Sequence, residues 1–223
     1  MKTYKIFIDT EFTHLGKDPD LLSIGMITET GETFYGEVTN FATAKFNKNK
    51  DFLIKYVIPN LKYIKYAKSL NTVHTTKTVL QDPLIEDNMD LLCNSVTIKK
   101  AVNNWLGRLI KKYHNPDDEF MIEFVSDCAA YDSILINDVV SELLTTSNEY
   151  SNTPLISPIV NDIVYDIRDY LKGKNGTATL YEAFDYNREE LLEEIDGEKI
   201  EGVKHNSFYD AKVIKAIYDK LHE

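Results

Sequence analysis

Three β-rich runs follow one another at the start of the chain, before any helical periodicity begins. They are Lys5–Asp9 (KIFID), Leu21–Ile27 (LLSIGMI) and Glu32–Val38 (ETFYGEV), the last entered through a Thr30-Gly31 turn. Strands joined by short links usually pair with one another, so the first forty residues point to a sheet that helices then flank. The rest of the chain supplies those helices in alternation with further strands. Thr97–Tyr113 carries Ile98, Ala101, Val102, Trp105, Leu106, Leu109 and Ile110 at the spacing of one buried helical stripe. Asn115-Pro116 breaks that pattern, and Phe120–Val125 (FMIEFV) reads as a buried strand. Asp132–Leu144 is a second amphipathic helix, followed by a polar loop over Thr145–Thr153. Ile159–Ile167 reads as a strand passing into a short helix, Gly173–Gly176 as a turn, and Ser207–Leu221 as the closing helix. The expectation is an α/β fold, one mixed β-sheet flanked by helices in a single domain over residues 1–223. Asn40–Val96 carries only weak signals for strand, helix or loop.

Length and composition agree. With 223 residues, 43% hydrophobic and 27% charged, the chain can bury a sizeable core as an ordinary soluble protein. No run approaches the roughly 20 apolar residues that span a bilayer, so no membrane partner is expected. The N-terminus lacks the apolar run of a signal peptide, and Cys93 and Cys128 make no disulfide framework. A cytoplasmic location is the expectation. Net charge is −11, which argues at first against a nucleic-acid partner. Its distribution is uneven. Residues 41–70 hold seven lysines against one acid, with Phe46, Phe52, Tyr56, Tyr63 and Tyr66 among them. Such a segment is either a solvated face or a positive rim on which bases can stack. Much of the acid lies in Glu182–Glu201, where nine acids face two bases.

Three short segments carry chemistry. In Ile8-Asp9-Thr10-Glu11-Phe12, residues two apart on a strand share a face, so Asp9 and Glu11 stand together and Thr10 points away. Two carboxylates at the end of an apolar strand need neutralising, and oxygen-rich clusters suit Mg2+ or Mn2+. The bland alternative is a pair of solvated acids. In FVSDCAAYDSI, Asp127 and Asp132 sit where a strand gives way to a helix, as turn and capping residues or as carboxylates aimed over the sheet edge. In His205-Asn206-Ser207-Phe208-Tyr209-Asp210, a histidine precedes the last helix and an acid lies one turn inside it. Histidine suits a general base because its side chain titrates near neutrality.

Taken together and in this order, FIDTEF, AAYDSILI and HNSFYDA resemble the three motifs of the DEDD exonuclease superfamily, on the ribonuclease H-like fold. The tyrosine branch of that superfamily would carry Tyr where this chain has Asn206, so the histidine branch is the better match. LLSIGMI resembles the strand after the first motif. Within the branch the chain is most similar to small bacterial and phage 3′–5′ exoribonucleases resembling RNase T. The Tyr-rich strand TFYGEV, the Val57-Ile58-Pro59-Asn60-Leu61 segment, the Asp127/Asp132 spacing and Tyr165-Asp166-Ile167-Arg168 carry that likeness.

The resemblance implies a metal-dependent 3′–5′ exonuclease that releases nucleoside 5′-monophosphates from a free 3′ end of nucleic acid. It implies that Asp9, Glu11, Asp132 and Asp210 hold two Mg2+ or Mn2+ ions, with His205 as general base. Thr10, Phe12, Ser23 and Asp127 are the expected substrate contacts, Phe12 either as an apolar wedge or as a core aromatic. RNA is favoured over DNA by the likeness to exoribonucleases, although no residue is identified that must read a 2′-hydroxyl. A homodimer is the assembly that the relatives suggest. Two other readings compete: a ribonuclease H-like endonuclease, and a catalytically idle nucleic-acid-binding module.

Overall fold

The computed structural model describes residues 2–67, 72–75, 88–114, 120–145, 160–167 and 187–223. Its centre is a six-stranded sheet in the order β6-β3-β2-β1-β7-β8. Strand β1 is Lys2–Phe12, β2 Leu21–Thr28, β3 Thr33–Val38, β6 Met89–Cys93, β7 Phe120–Ser126 and β8 Val160–Asp166. The first three pair antiparallel, and β7, β8 and β6 add in parallel at the two edges. Strands β4 (Ile64–Ala67) and β5 (Thr72–Thr75) form a separate antiparallel pair. The mixed sheet flanked by helices expected from the sequence is the architecture adopted.

Alternation along β1 decides what each face does. Tyr4, Ile6 and Ile8 point to one side, into a core with Ile24, Met26 and Phe34. Helix α3 (Ser95–Tyr113) covers that side with Ile98, Val102, Trp105 and Leu109. Helix α4 (Ala129–Thr145) covers it with Ile136, Val139 and Val140. Trp105 is fully buried, tilted against Phe34 at 5.8 Å, which settles it as a core residue. Phe7 points to the other side, where it meets Val213, Ile214 and Ile217 of the last helix, Ser207–His222. A short helix, Arg188–Glu194, adds Leu191 and Leu192 to that second core. These last two helices are α6 and α5 respectively.

The described part of the weakly legible segment Asn40–Val96 consists of short pieces. Helices α1 (Thr43–Asn47) and α2 (Lys50–Phe52) run into a π-helical turn at Leu53–Val57 and a 3-10 turn at Ile58–Asn60. Phe46, Leu53, Val57, Ile58, Leu61, Tyr63 and Ile64 pack there with Leu22 and Tyr35. Glu37, fully buried on β3, anchors the end of the segment by accepting the backbone N–H groups of Lys62, Tyr63 and Ile64. Two of the five aromatics expected on a stacking rim, Phe46 and Tyr63, are therefore core residues. The side chain of Tyr66 lies outside the described residues, as do Lys68, Arg168, most of the loop at Thr145–Thr153 and the Gly173–Gly176 turn.

Element ends differ from the sequence expectation for local reasons. Strand β1 runs on past Asp9 because β2 continues to pair with it, Asp9 opposite Gly25 and Glu11 opposite Ser23. Helix α4 begins at Ala129 and not at Asp132. The Ser126 hydroxyl accepts the Cys128 N–H, and the Cys128 carbonyl accepts from Tyr131, closing the turn early. Cys93 and Cys128 are both free thiols. Among the described residues, no helix is long and apolar enough to cross a membrane.

Candidate active site

Pairing between β1 and β7 ends at Phe7 and Val125, while β1 continues to Phe12. The two strands part there, and the side chains beyond the split collect at the opening. Asp9 and Glu11 stand on the same face as Phe7, the face covered by α6, as the two-residue repeat requires. Helix α6 brings Asp210 to them from its first turn. Its close approach depends on Gly25, the residue paired with Asp9. A β-carbon at that position would lie 2.3 Å from the Phe208 backbone nitrogen.

Asp132 arrives from the opposite side, on the first turn of α4. Ser126, at the end of β7, donates to its Oδ2, and Thr10 donates to its Oδ1. Thr10 was expected as a substrate contact. Because it points away from Asp9 and Glu11, its hydroxyl meets Asp132 and orients that carboxylate from below. Ser23, the second such expectation, is also differently employed. It is fully buried and bonded to the Ser207 hydroxyl at 3.0 Å, tying β2 to the start of α6. Phe12 is half-buried and stacks on Tyr131 with ring centroids 5.4 Å apart.

The result is two groups of acids that share a member. Ligand-capable atoms of Asp9, Asp127 and Asp132 lie within 4.8 Å of one another, and so do those of Asp9, Glu11 and Asp210. Asp127, read from the sequence as a substrate contact, thus stands among the carboxylates. Asp9, Glu11, Asp132 and Asp210 are all buried. Burial pushes the Asp9 carboxyl well above its ordinary range, with the charge of Asp210 adding to the effect and Arg188 opposing it. Burial likewise pushes Asp132 up to about 7, against the hydrogen bonds from Ser126 and Thr10. Asp210 is raised to about 7 by burial, with Arg188 opposing. Asp9 Oδ2 and Asp210 Oδ1 are buried and accept no hydrogen bond, Asp210 Oδ1 having only its ion pair with Arg188. Orphaned buried carboxylate oxygens are costly, and an all-oxygen donor set of this kind fits a hard divalent cation such as Mg2+ or Mn2+.

His205 lies on the rim. Its Nδ1 is 3.5 Å from Glu11 Oε1, and its backbone N–H donates to Asp210 Oδ2 at 2.9 Å. The residue adopts a left-handed backbone, with φ 64°, and the loop around it is pinned from outside. Asn60 Nδ2 donates to the Lys204 carbonyl at 2.7 Å, and Asn206 Nδ2 donates back to the Asn60 carbonyl at 2.8 Å. Asn206 also caps α6 by accepting the Tyr209 N–H. Phe52 and Tyr56, each 40% exposed, flank the imidazole at 5.5 and 6.1 Å between centroids. Among the described residues these are the two rim aromatics left exposed. Several of the neighbouring lysines are engaged: Lys45 with Asp18 and Asp20, Lys62 with Asp90, and Lys48 with His14.

Two participants had no distinctive sequence signal. Asn60 is one polar residue in a turn. Arg188 is one of the two bases in the acidic segment Glu182–Glu201, where an exposed ion pair is the ordinary reading. In the structure its guanidinium faces Asp9, Asp127 and Asp210.

No protein-family model matches the chain, and no curated protein matches it. Among solved structures it is similar to S. pombe Pop2p in its Mg2+ and Mn2+ bound form. That match has 12% identity, covers 96% of this chain and 81% of the other, and has a TM-score of 0.46. At this level of similarity the site has to be read from its own geometry.

Proposed function

We propose that the chain is a metal-dependent 3′–5′ exonuclease of the DEDD type, in its histidine branch, with RNA as the expected substrate. The observation that carries the reading is the pair of acid triplets sharing Asp9, assembled from segments as far apart as β1, α4 and α6, with His205 beside them. A single capping or solvated acid has a bland explanation. Five acids converging on one buried patch, with unbonded oxygens, do not.

Asp9, Glu11, Asp132 and Asp210 would hold the ions, with Asp127 as a further oxygen donor. Two such ions, when bound, supply positive charge at the attacking and leaving oxygens of an in-line displacement at phosphorus. The chain's own residues do the rest. Glu11 faces the Nδ1 side of His205 and orients the ring, leaving Nε2 to take a proton from the attacking water. Ser126 and Thr10 fix the Asp132 carboxylate in one rotamer. Phe52 and Tyr56 offer π-faces next to the imidazole, where stacking of a terminal base is sequence-tolerant. The net charge of −11 is compatible with a nucleic-acid substrate because the bound cations change the sign of the local field.

The test is a substrate panel of 5′-labelled linear strands and internally labelled single-stranded circles of RNA and DNA, in Mg2+, Mn2+ or chelator. Linear RNA should shorten one nucleotide at a time, releasing nucleoside 5′-monophosphates, and chelator should stop it. Circles should survive. A cut circle would make the enzyme an endonuclease, and inertness on every substrate together with no Mn2+ uptake would leave an idle binding module.

A further inference from the structure

We infer that Arg188 is a built-in counter-cation, which neutralises the acid cluster before divalent ions bind and has to withdraw as they enter. The inference rests on the metal-dependent reading of the site and adds a residue that competes with the ions.

Arg188 bridges the two triplets. Its Nη1 is 3.3 Å from Asp9 Oδ1 and 2.9 Å from Asp127 Oδ2, and its Nη2 is 3.2 Å from Asp210 Oδ1. The side chain is 14% exposed, so these contacts are made largely out of water. They involve one carboxylate of the first triplet, one of the second, and Asp9, which belongs to both. The guanidinium thus lies against the same oxygens that a cation would need.

Simultaneous occupancy is unfavourable. A Mg2+ ion sits about 2.1 Å from a ligating oxygen. An ion on Asp9 Oδ1 would stand no more than about 5.4 Å from an Nη1 that lies 3.3 Å from the same oxygen. At that separation, in a site shielded from water, the repulsion is far stronger than in solution. The fork of the guanidinium also fills the direction between Asp9 and Asp210. Asp9 Oδ2, buried and without a hydrogen bond, is an oxygen that the arginine leaves unserved, so the cluster is under-neutralised even with Arg188 in place.

Withdrawal does not require the helix to leave. Leu191 and Leu192 fix α5 to Val213, Ile214 and Ile217, while Arg188 is its first residue. A long flexible side chain at a helix start can change rotamer with the backbone held. Removing one partner of a buried ion-pair network is ordinarily destabilising, because the remaining charges lose their compensation. Here the divalent ions replace that compensation.

The experiment compares wild type with Arg188→Met, which keeps an apolar stem, and Arg188→Lys, which keeps a charge without the fork. Metal-free melting and Mn2+ calorimetry are measured on each full-length protein at constant pH. Arg188→Met should melt several degrees lower without metal, bind Mn2+ about tenfold tighter, and regain wild-type melting when saturated. Arg188→Lys should fall between. Equal or weaker Mn2+ binding by Arg188→Met overturns the inference while leaving the nuclease reading intact. Absence of Mn2+ binding in both proteins overturns both. Should Arg188→Met fail to fold, the wild type alone decides. The chain has three arginines, so the Arg188 Nε–H resonance can be followed as Mg2+ is added. It should move towards faster solvent exchange in step with binding. A resonance that stays put at saturation sinks the idea.

Discussion

Asn60 and Asn206 hold each other's loops. The Asn206 amide donates to the Asn60 carbonyl, and the Asn60 amide donates to the carbonyl of Lys204, on the other side of His205. The histidine is thereby fixed between two anchored neighbours although its own side chain is partly in solvent. Asn60→Ala removes the bonds to Lys204 and Tyr56, each worth about 1 kcal/mol. Melting should fall by roughly 4–8 °C for a chain of this size. Turnover should drop by about tenfold or more with KM little changed, since the base loses its place and not the substrate its site. Unchanged turnover would mean that His205 needs no external anchor.

Gly25 is the second dependency. A β-carbon there meets the backbone of Ser207 and Phe208 at 2.3 Å, and backbone has no rotamer to change. Gly25→Ala should destabilise the fold by about 3 kcal/mol or more, the upper range for overpacking. It should also weaken Mn2+ binding by shifting Asp210 away from Asp9. Calorimetry and thermal melting read the two effects on one sample. A variant as stable as wild type would show that α6 docks with room to spare.

His205→Ala should lower turnover by about 10²–10⁴-fold, the span of general-base contributions. Melting temperature and Mn2+ affinity should stay near wild type, because the bond to Asp210 comes from the His205 backbone N–H, which alanine keeps, and the ring lies 3.5 Å from Glu11. Near-normal turnover at saturating metal would remove the residue from the base role.

The double change Asp9→Asn with Glu11→Gln should abolish hydrolysis and Mn2+ uptake while preserving a cooperative melt. Retained activity would put the site elsewhere.

The pH response follows from the raised carboxyls. Asp132 and Asp210 titrate at about 7 in the fold, mainly through burial, against ordinary values near 4. Between those limits the native state holds protons that the unfolded chain has released. Metal-free stability should therefore fall as pH rises from about 4 to about 7, and level off above. Ions need the ionised form, so Mn2+ affinity should climb over the same interval, with proton release. Calorimetry in two buffers of different ionisation enthalpy should detect more released protons at pH 6 than at pH 8. Equal release at both values would contradict the assignment.

Much of this was legible in the residues. The alternation in β1 put Asp9 and Glu11 on one face, and the apolar stripe of α3 put Trp105 in the core. Both patterns are periodic, and periodicity survives in a sequence. The structural partners of the Thr10 and Ser23 hydroxyls were not legible, because a hydroxyl carries no mark of which group it meets. Asp132 and Ser207, their partners, lie 122 and 184 residues away in the chain. Arg188 and Asn60 act only through tertiary neighbours, and Met89–Cys93 is a strand only because β3 offers it an edge. Short elements that borrow their stability from elsewhere leave no local trace.

Asp9 belongs to both acid triplets, so cations held as proposed, one at each triplet, would not enter as independent events. Whatever enters first fixes the ionisation and the rotamer of a ligand that the second also needs. A dose–response curve for metal would then depart from simple hyperbolic saturation. Trimming Asp127 would alter one limb of that curve, whereas trimming Asp9 would erase it altogether.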